Sequence, residues 1–313
     1  MSKNMNTKIK EIVSLAKKHG IEVEPLSVKS NESGLDFLAV FARSTDGASW
    51  VMRSPRRPDV VESAAYEKKV LDLIIDRLPV AVPNWQVHTP ELIAYRLLDG
   101  VPIGTINHEA KVYEWYLEPQ SIPEQFIQSL AEAMVALHAI DHEAVRHAGI
   151  RVHQPAEVRR ALAVKMEEIK RIFGVSRALW ERWQSWLADD TCWPRHSVLV
   201  HGDLHPGHIL VHPDGRVTGL LDWTEAEVAD PATDFTAYCL IFGESGLAEL
   251  LKRYEKAGGR VWPRMQEHII ERMSASPVLL ADFALKSGLE EYMTMARNAL
   301  GVDEKGEEIT NQA

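Results

Sequence analysis

His201-Gly202-Asp203-Leu204-His205-Pro206-Gly207-His208, followed after a short interval by Leu220-Leu221-Asp222-Trp223, is the stretch around which the rest of the chain can be arranged. Val198-Leu199-Val200 is an aliphatic run that stops at His201, as a strand does when it delivers side chains into a cleft. Ile209-Leu210-Val211 and Val217 to Leu221 flank His212-Pro213-Asp214-Gly215, a strong turn signal, so these two runs should pair as a hairpin. Positions 208 and 222 stand nearly equidistant from that turn, which sets His208 opposite Asp222 at the hairpin's open end, with Asp203 arriving from the loop. Such a set suits metal-assisted phosphoryl transfer: Asp222 supplies carboxylate oxygen to Mg²⁺ on nucleotide phosphates, and Asp203 orients or deprotonates the attacking hydroxyl. Mg²⁺ prefers oxygen ligands, so the imidazole implies a weaker direct bond, tolerance of Mn²⁺, or a water-mediated contact.

A nucleotide pocket must then come from elsewhere in the chain. Ile9, Ile12, Val13 and Ala16 repeat at helical spacing before Gly20. Ile21 to Val28, Phe37 to Ala42 and Ser49 to Met52 read as a three-stranded antiparallel meander. The turn at Ser33-Gly34 either brings backbone N–H groups close to phosphates or is a plain hairpin turn. Arg53 ends the third strand as a cation suited to phosphates. From Pro58 to about Arg77, Val61, Ala64, Ala65, Lys68, Leu71 and Ile75 trace a helical face; Glu67 on this helix is a candidate partner for Arg53, or else a solvated acid. Val80 to Val87 and Leu92 to Leu98 read as two more strands. The second is taken as an edge strand whose Tyr95 and Leu97 offer a place for a purine ring. The crossing at 99–102 marks a boundary between a nucleotide-binding lobe, 1–98, and a catalytic and substrate-binding lobe, 99–313, with a hinge about 95–102.

After residue 120 the periodicity is helical. Ser121-Ile122-Pro123-Glu124 has the spacing of a capping box, and helices follow at about 155–173, 176–188, 235–242, 247–257, 264–273 and 277–300. Trp180, Trp183 and Trp186 read as helix core. The tail 301–313 reads as a frayed terminus. A net charge of -10 in 313 residues argues against a nucleic-acid binder and favours a cationic small substrate. Cys192 and Cys239 form no CxxC pair, which excludes a cysteine metal site and fits a reducing compartment. No signal-peptide core or membrane-length apolar run is present, so a cytoplasmic protein, expected to be a monomer, follows.

Arg53, Glu67, His201-Gly202-Asp203, His208 and Asp222 together resemble the aminoglycoside phosphotransferase and protein-kinase-like superfamily, whose pattern is HGDxxxxN followed by an acid about a hairpin later. Within it, HGDLHPGH, LLDWTEAEVADPATDF, NESGLDF and WVMRSPRRPDV look closest to macrolide 2'-phosphotransferases, over almost the whole chain from about residue 6 to 300. The resemblance implies an α+β, two-lobed kinase-like fold: an N-terminal antiparallel sheet lobe with an inserted helix, and a mainly helical C-terminal lobe. It implies Asp203 as catalytic base, Asp222 and His208 as metal ligands, and Arg53 where most kinases have lysine, so the phosphate contact becomes forked. Asp230, Asp234 and His201 would brace the catalytic loop. The implied reaction moves the γ-phosphate of GTP, or of ATP, to the 2'-hydroxyl of a macrolide amino sugar.

A macrolide is large, apolar and cationic, and the last helices offer Tyr238, Met273, Phe283 and Tyr292 with Asp282, Glu290 and Glu291; helix core is the competing reading of these apolar residues. Aminoglycosides, choline-like alcohols and homoserine are alternative acceptors. A metal-dependent hydrolase with His201, Asp203, His205, His208 and His212 as zinc ligands is a rival reading. A non-catalytic nucleotide-binding protein is another, suggested by Arg53 and His208.

Overall fold

The computed structural model describes residues 3–31, 34, 36–107 and 112–309. Helix α1 (Lys3–Lys18) is followed by strands β1 (Lys29–Asn31), β2 (Phe37–Arg43) and β3 (Ser49–Pro55), helix α2 (Asp59–Ile74), and strands β4 (Trp85–His88) and β5 (Ile93–Arg96). The strands form an antiparallel five-stranded sheet in the order β1-β2-β3-β5-β4. Strand period assigns its faces: Leu38, Val40, Ala42, Trp50 and Met52 cluster with Ile9, Ile12 and Ala16 of α1, while Phe37, Val51 and Tyr95 join the α2 side. Arg53 continues the Val51 face and therefore looks toward α2. The buried residues of that helix are Val60, Ala64, Glu67, Val70, Leu71, Leu73 and Ile74, so the carboxylate of Glu67 is buried while Ala65, which the apolar spacing placed on that face, is exposed.

Three readings of this lobe are corrected. Residues 21–28 are not a continuous strand: Val23 makes an isolated bridge to Ser44, Pro25–Ser27 then forms a 3₁₀ turn, and β1 begins only at Lys29, because proline lacks the N–H a ladder needs. The run 80–87 enters the sheet only at Trp85. Its first part bonds to the other lobe instead, with Ala81 N–H donating to Thr218 O and Leu220 N–H to Ala81 O. Because β4 then lies outside β5, the strand carrying Tyr95 is interior and not an edge.

Strand β6 (Val101–Pro102) opens the second lobe, followed by β7 (Gly104–Asn107), β8 (Val112–Trp115), α3 (Glu124–His138), α4 (His142–His147), α5 (Pro155–Phe173) and α6 (Arg177–Ala188). Ser121 lies in a separate 3₁₀ turn and α3 starts after Pro123 without a side-chain cap, so the capping box does not form. Strands β9 (Val198–Val200), β10 (Ile209–Val211), β11 (Val217–Leu220) and β12 (Glu227–Ala229) make the island among the helices. Helices α7 (Thr233–Lys256, kinked at Gly243), α8 (Met265–Ser274), α9 (Ser276–Ser287) and α10 (Glu290–Leu300) complete the lobe. The chain is thus a two-lobed α+β structure with an antiparallel sheet lobe and a mainly helical one.

The main core runs through both lobes, from Val51 and Leu71 to Phe126, Leu199, Trp223 and Phe235. A second cluster, with Met166, Phe173, Trp183, Trp186 and Ala281, joins α5, α6, α9 and α10. The tail is a further correction: Val302 is buried, bridges to Glu308, and Ile309 N–H returns to Gly301 O, so 301–309 folds back on the second cluster. Residues 310–313 lie outside the described residues.

Candidate active site

Buried strand β9, paired with β12, delivers His201 to the end of the sheet island. Asp234 at the start of α7 then anchors the loop: its Oδ2 accepts from His201 N–H and its Oδ1 from Gly202 N–H, both at 2.9 Å. His138 of α3 reaches the same carboxylate at 3.1 Å through Nε2, and its Nδ1 meets the Tyr254 hydroxyl at 2.8 Å. Burial alone would raise the Asp234 pKa, but the His138 and His201 contacts outweigh it and hold it below the ordinary value. Gly202 has φ +87°, and a Cβ there would stand 2.4 Å from Glu225 O, so the position requires glycine twice over. The chain beyond it turns Asp203 outward, with half of its side chain exposed.

His201 is fully buried against Trp223, with ring centroids 4.4 Å apart. Its Nδ1 accepts from Asp203 N–H at 3.3 Å, so the ring's proton is on Nε2, which donates to Leu221 O at 2.9 Å. Burial pushes its pKa down, and a neutral ring suits both bonds. The loop and the hairpin are therefore joined through one imidazole.

The hairpin pairs Ile209 with Leu220 and Leu210 with Gly219, and Leu221 N–H donates to His208 O. His208 Nδ1 donates to Asp203 O at 2.9 Å, which leaves the Nε2 lone pair free, 3.8 Å from Asp222 Oδ2. The separation lies within the roughly 4.2 Å that two metal bonds of about 2.1 Å can span. Asp222 has φ +61°, the one non-glycine residue with positive φ among the described residues. Thr224 Oγ1 holds its Oδ1 at 2.7 Å. Burial would raise its pKa, but His208 and Arg53 lower it on balance, so the carboxylate stays ionised. Backbone strain of this kind collects where a side chain must be aimed.

Arg53 faces Asp222 from the sheet lobe. Its Nη1 lies 3.2 Å from both Glu67 oxygens, with Glu67 fully buried, and its guanidinium stacks 3.9 Å from the Phe37 ring centroid. Burial works against the Arg53 charge, but Glu67 more than compensates and raises its pKa. Glu67 Oε1 also accepts from Trp223 N–H at 3.5 Å, and Tyr66 OH donates to Ala226 O at 2.7 Å. Helix α2 thereby spans from the cation on the sheet to the turn carrying Asp222.

Other expected residues fall differently. Ser33 lies outside the described residues, and Gly34 has no positive φ, so no left-handed turn marks it. Tyr95 is buried in the α2 side of the sheet, where desolvation pushes its pKa up to about 12; the Leu97 N–H already donates to Ser49 O at 2.9 Å. Tyr238 is buried, lining a small apolar cavity with Ile103, Leu204, Pro206 and Phe242 beneath the 201–208 loop. Met273 packs on the main core. Phe283 and Tyr292 pack edge to face 4.8 Å apart, and Asp282 is paired with Lys165 at 2.8 Å and Lys286 at 2.7 Å.

Asp230 accepts from His268 Nε2 at 2.7 Å and lies 3.3 Å from Arg272 Nη1; burial is outweighed and its pKa falls to about 2. Trp186 Nε1–H donates to the other His268 nitrogen, so Asp230 secures the α8 side of the second lobe.

The zinc-ligand reading does not survive this geometry. Both His201 nitrogens are bonded, and His212 stays on the hairpin turn 3.1 Å from Asp214. Asp203, His205 and His208 do gather ligand atoms within 4.8 Å. His205 Nδ1, however, accepts from Gly207 N–H at 3.0 Å, so in the neutral ring Nε2 carries the proton and has no lone pair for a metal. Burial brings the His205 pKa down to about 4, which keeps the ring neutral near pH 7.

Sequence reasoning missed His138, whose partners lie 96 and 116 positions away, and Glu225. Glu225, an exposed residue, lies with its backbone and Cβ against Gly202. The surrounding walls raise its pKa, Arg151 opposes this, and Asp203 adds to the rise. Its one sequence signal is the acid in Thr224-Glu225-Ala226 so soon after Asp222.

A sheet lobe with a buried cation, set against a loop and hairpin that present an outward acid and an acid–imidazole pair, defines a kinase-like phosphotransferase. The chain belongs to the phosphotransferase enzyme family, which its residues 27–268 match. Among solved structures it is similar to macrolide 2'-phosphotransferase MphH from Brachybacterium faecium, with 41% identity, a TM-score of 0.87, and 94% of this chain and 99% of that chain covered. A macrolide 2'-phosphotransferase type I is 42% identical, also at TM-score 0.87, with 94% and 97% covered. The uncharacterized protein YcbJ of Bacillus subtilis (strain 168) is 48% identical over 301 residues, 96% of this chain and 98% of the relative.

Proposed function

We propose that this protein transfers the γ-phosphate of GTP, with ATP as the alternative donor, to the 2'-hydroxyl of a macrolide amino sugar, acting as a cytoplasmic monomer. The observation that carries the reading is the exposed Asp203 carboxylate standing beside the free lone pairs of His208 and Asp222, in a chain so similar to two macrolide 2'-phosphotransferases. Asp203 takes the hydroxyl proton as the oxygen attacks the γ-phosphorus, the bond to the β-phosphate oxygen breaks, and the nucleoside diphosphate leaves. Arg53 meets the phosphates from the sheet side. His208 Nε2 and Asp222 would hold Mg²⁺, or Mn²⁺ given the imidazole, which when bound neutralises phosphate charge. The purine lies between the lobes near the crossing at 95–102. Glu225 faces the protonated dimethylamine next to the reacting hydroxyl, in keeping with the net charge of -10.

The test is a panel of acceptors, namely a macrolide, an aminoglycoside, choline and homoserine, each with GTP or ATP and read by mass spectrometry for one added phosphate. Phosphorylated macrolide is the expected product. An aminoglycoside product with none from the macrolide overturns the substrate assignment. Asp203→Asn should abolish transfer while leaving nucleotide binding largely intact.

A further inference from the structure

Each imidazole of the catalytic loop has its proton placed by a backbone partner. His208 donates from Nδ1 to Asp203 O and turns its Nε2 lone pair toward Asp222. His205 is the opposite case. It precedes the 3₁₀ turn Pro206–His208, and its Nδ1 accepts from Gly207 N–H at 3.0 Å. A backbone amide can only donate, so the proton of the neutral His205 ring is on Nε2. That Nε2 lies 3.9 Å from Asp203 Oδ2. The ring has little freedom to point elsewhere, since its centroid is 3.9 Å from that of His208. It also occupies space that a side chain at 207 would take: a Cβ there would stand 2.7 Å from His205 Cε1 and 3.2 Å from Nδ1.

We infer that His205 is a positioning residue for the base, its Nε2–H donating to Asp203 Oδ2 so that the other carboxylate oxygen is aimed at the acceptor hydroxyl. This inference rests on the reading of Asp203 as the base. The separation exceeds a charge-assisted N–H···O bond of about 2.7–2.9 Å by roughly 1 Å. The Asp203 side chain is half exposed and can turn by that amount when the acceptor packs against it. Catalytic hydrogen bonds are commonly longer before substrate is bound. Fixing one oxygen converts a freely rotating carboxylate into an oriented one, which acts on the chemical step more than on binding.

The experiment compares His205→Gln, which keeps an N–H donor, with His205→Leu, which has none. Both are assayed by kcat and KM with GTP and the macrolide, with GDP affinity measured by calorimetry. His205→Leu should lose roughly 10- to 100-fold in kcat, the worth of a hydrogen bond to a charged group, with KM values and GDP affinity within about threefold of wild type. His205→Gln should recover most of that loss. Equal losses in the two variants, through kcat or through folding, or a loss confined to KM, or none in either, would overturn the proposal. Nitrogen-15 NMR of the wild-type protein reads the tautomer without any acceptor, and an Nδ1–H ring at His205 would equally refute it. Asp203→Asn in parallel separates the two claims: full turnover there removes the base assignment itself, whatever His205 does.

Discussion

Replacing Asp234 with asparagine changes one atom and the charge at a point where three donors converge. In the wild-type protein Oδ1 accepts from Gly202 N–H, and Oδ2 accepts from His201 N–H and meets His138 Nε2. An amide has one acceptor oxygen. The better orientation keeps it at the Oδ2 position and sets the NH₂ group against the Gly202 N–H. The part-buried Gly202 N–H is then left facing another donor without an acceptor, at about 1–3 kcal/mol. The two surviving bonds lose their charge assistance, at about 1 kcal/mol each. The expected destabilisation is about 3–5 kcal/mol, a large part of the about 5–15 kcal/mol that holds a typical fold.

Urea unfolding at pH 7 measures this, with the midpoint falling by about 1 M or more if the slope is near 3 kcal/mol per M. The pH dependence gives an independent check. The Asp234 pKa is depressed in the folded protein, so its contribution is present above the ordinary value of 3.8 and is lost as pH falls through the folded one. The gap between wild type and Asp234→Asn should therefore be full at pH 7 and narrow below about pH 4. Turnover should fall roughly 10- to 100-fold, because Gly202 N–H fixes the residue preceding Asp203, the proposed base. A variant within 1 kcal/mol of wild type at pH 7, or a gap that persists unchanged at pH 3, would refute the account of Asp234 as an ionised anchor.

Gly202→Ala should unfold about 4–8 °C lower by calorimetry, since φ +87° and the 2.4 Å approach to Glu225 O cost at least about 2 kcal/mol. Arg53→Lys gives up the stack on Phe37, and steady-state kinetics should show the nucleotide KM rising about tenfold. Glu225→Gln should raise KM for a cationic macrolide about 5- to 10-fold with kcat little changed; an equal effect on an acceptor lacking the amine would remove the ammonium contact.

Local patterns carried most of what could be read in advance. The hairpin was legible because His212-Pro213-Asp214-Gly215 sits between two short aliphatic runs, and turn position then sets which residues end the strands. Helices such as α5 and α6 were legible from apolar spacing. Sheet order was not, because placing β4 outside β5 depends on where 80–82 attaches, and that partner is β11 of the other lobe. His138 and Tyr66 also escaped notice, since each bonds across the fold with no local spacing to signal it. The tail misled through its polarity. One buried valine, together with Asp303 accepting from Lys305 and Glu307 N–H, is enough to fold it back.

Asp203 and Asp222 lie 19 positions apart in sequence, yet both are positioned from the same two buried rings. His201 ties Asp203 N–H to Leu221 O, so a shift of the loop is transmitted to the residue before Asp222. Trp223, in contact with that imidazole, follows Asp222 directly; its indole donates to Leu220 O at 3.2 Å and its backbone N–H points to Glu67. Asp222 is thus held at φ +61° by anchors on both sides, and the strained conformation persists because neither neighbour can move without losing a buried bond. Glu67 extends the same frame to Arg53. Withdrawal of α2 would release Arg53 and the turn at Asp222 together, so the two halves of the site are assembled or lost as one unit.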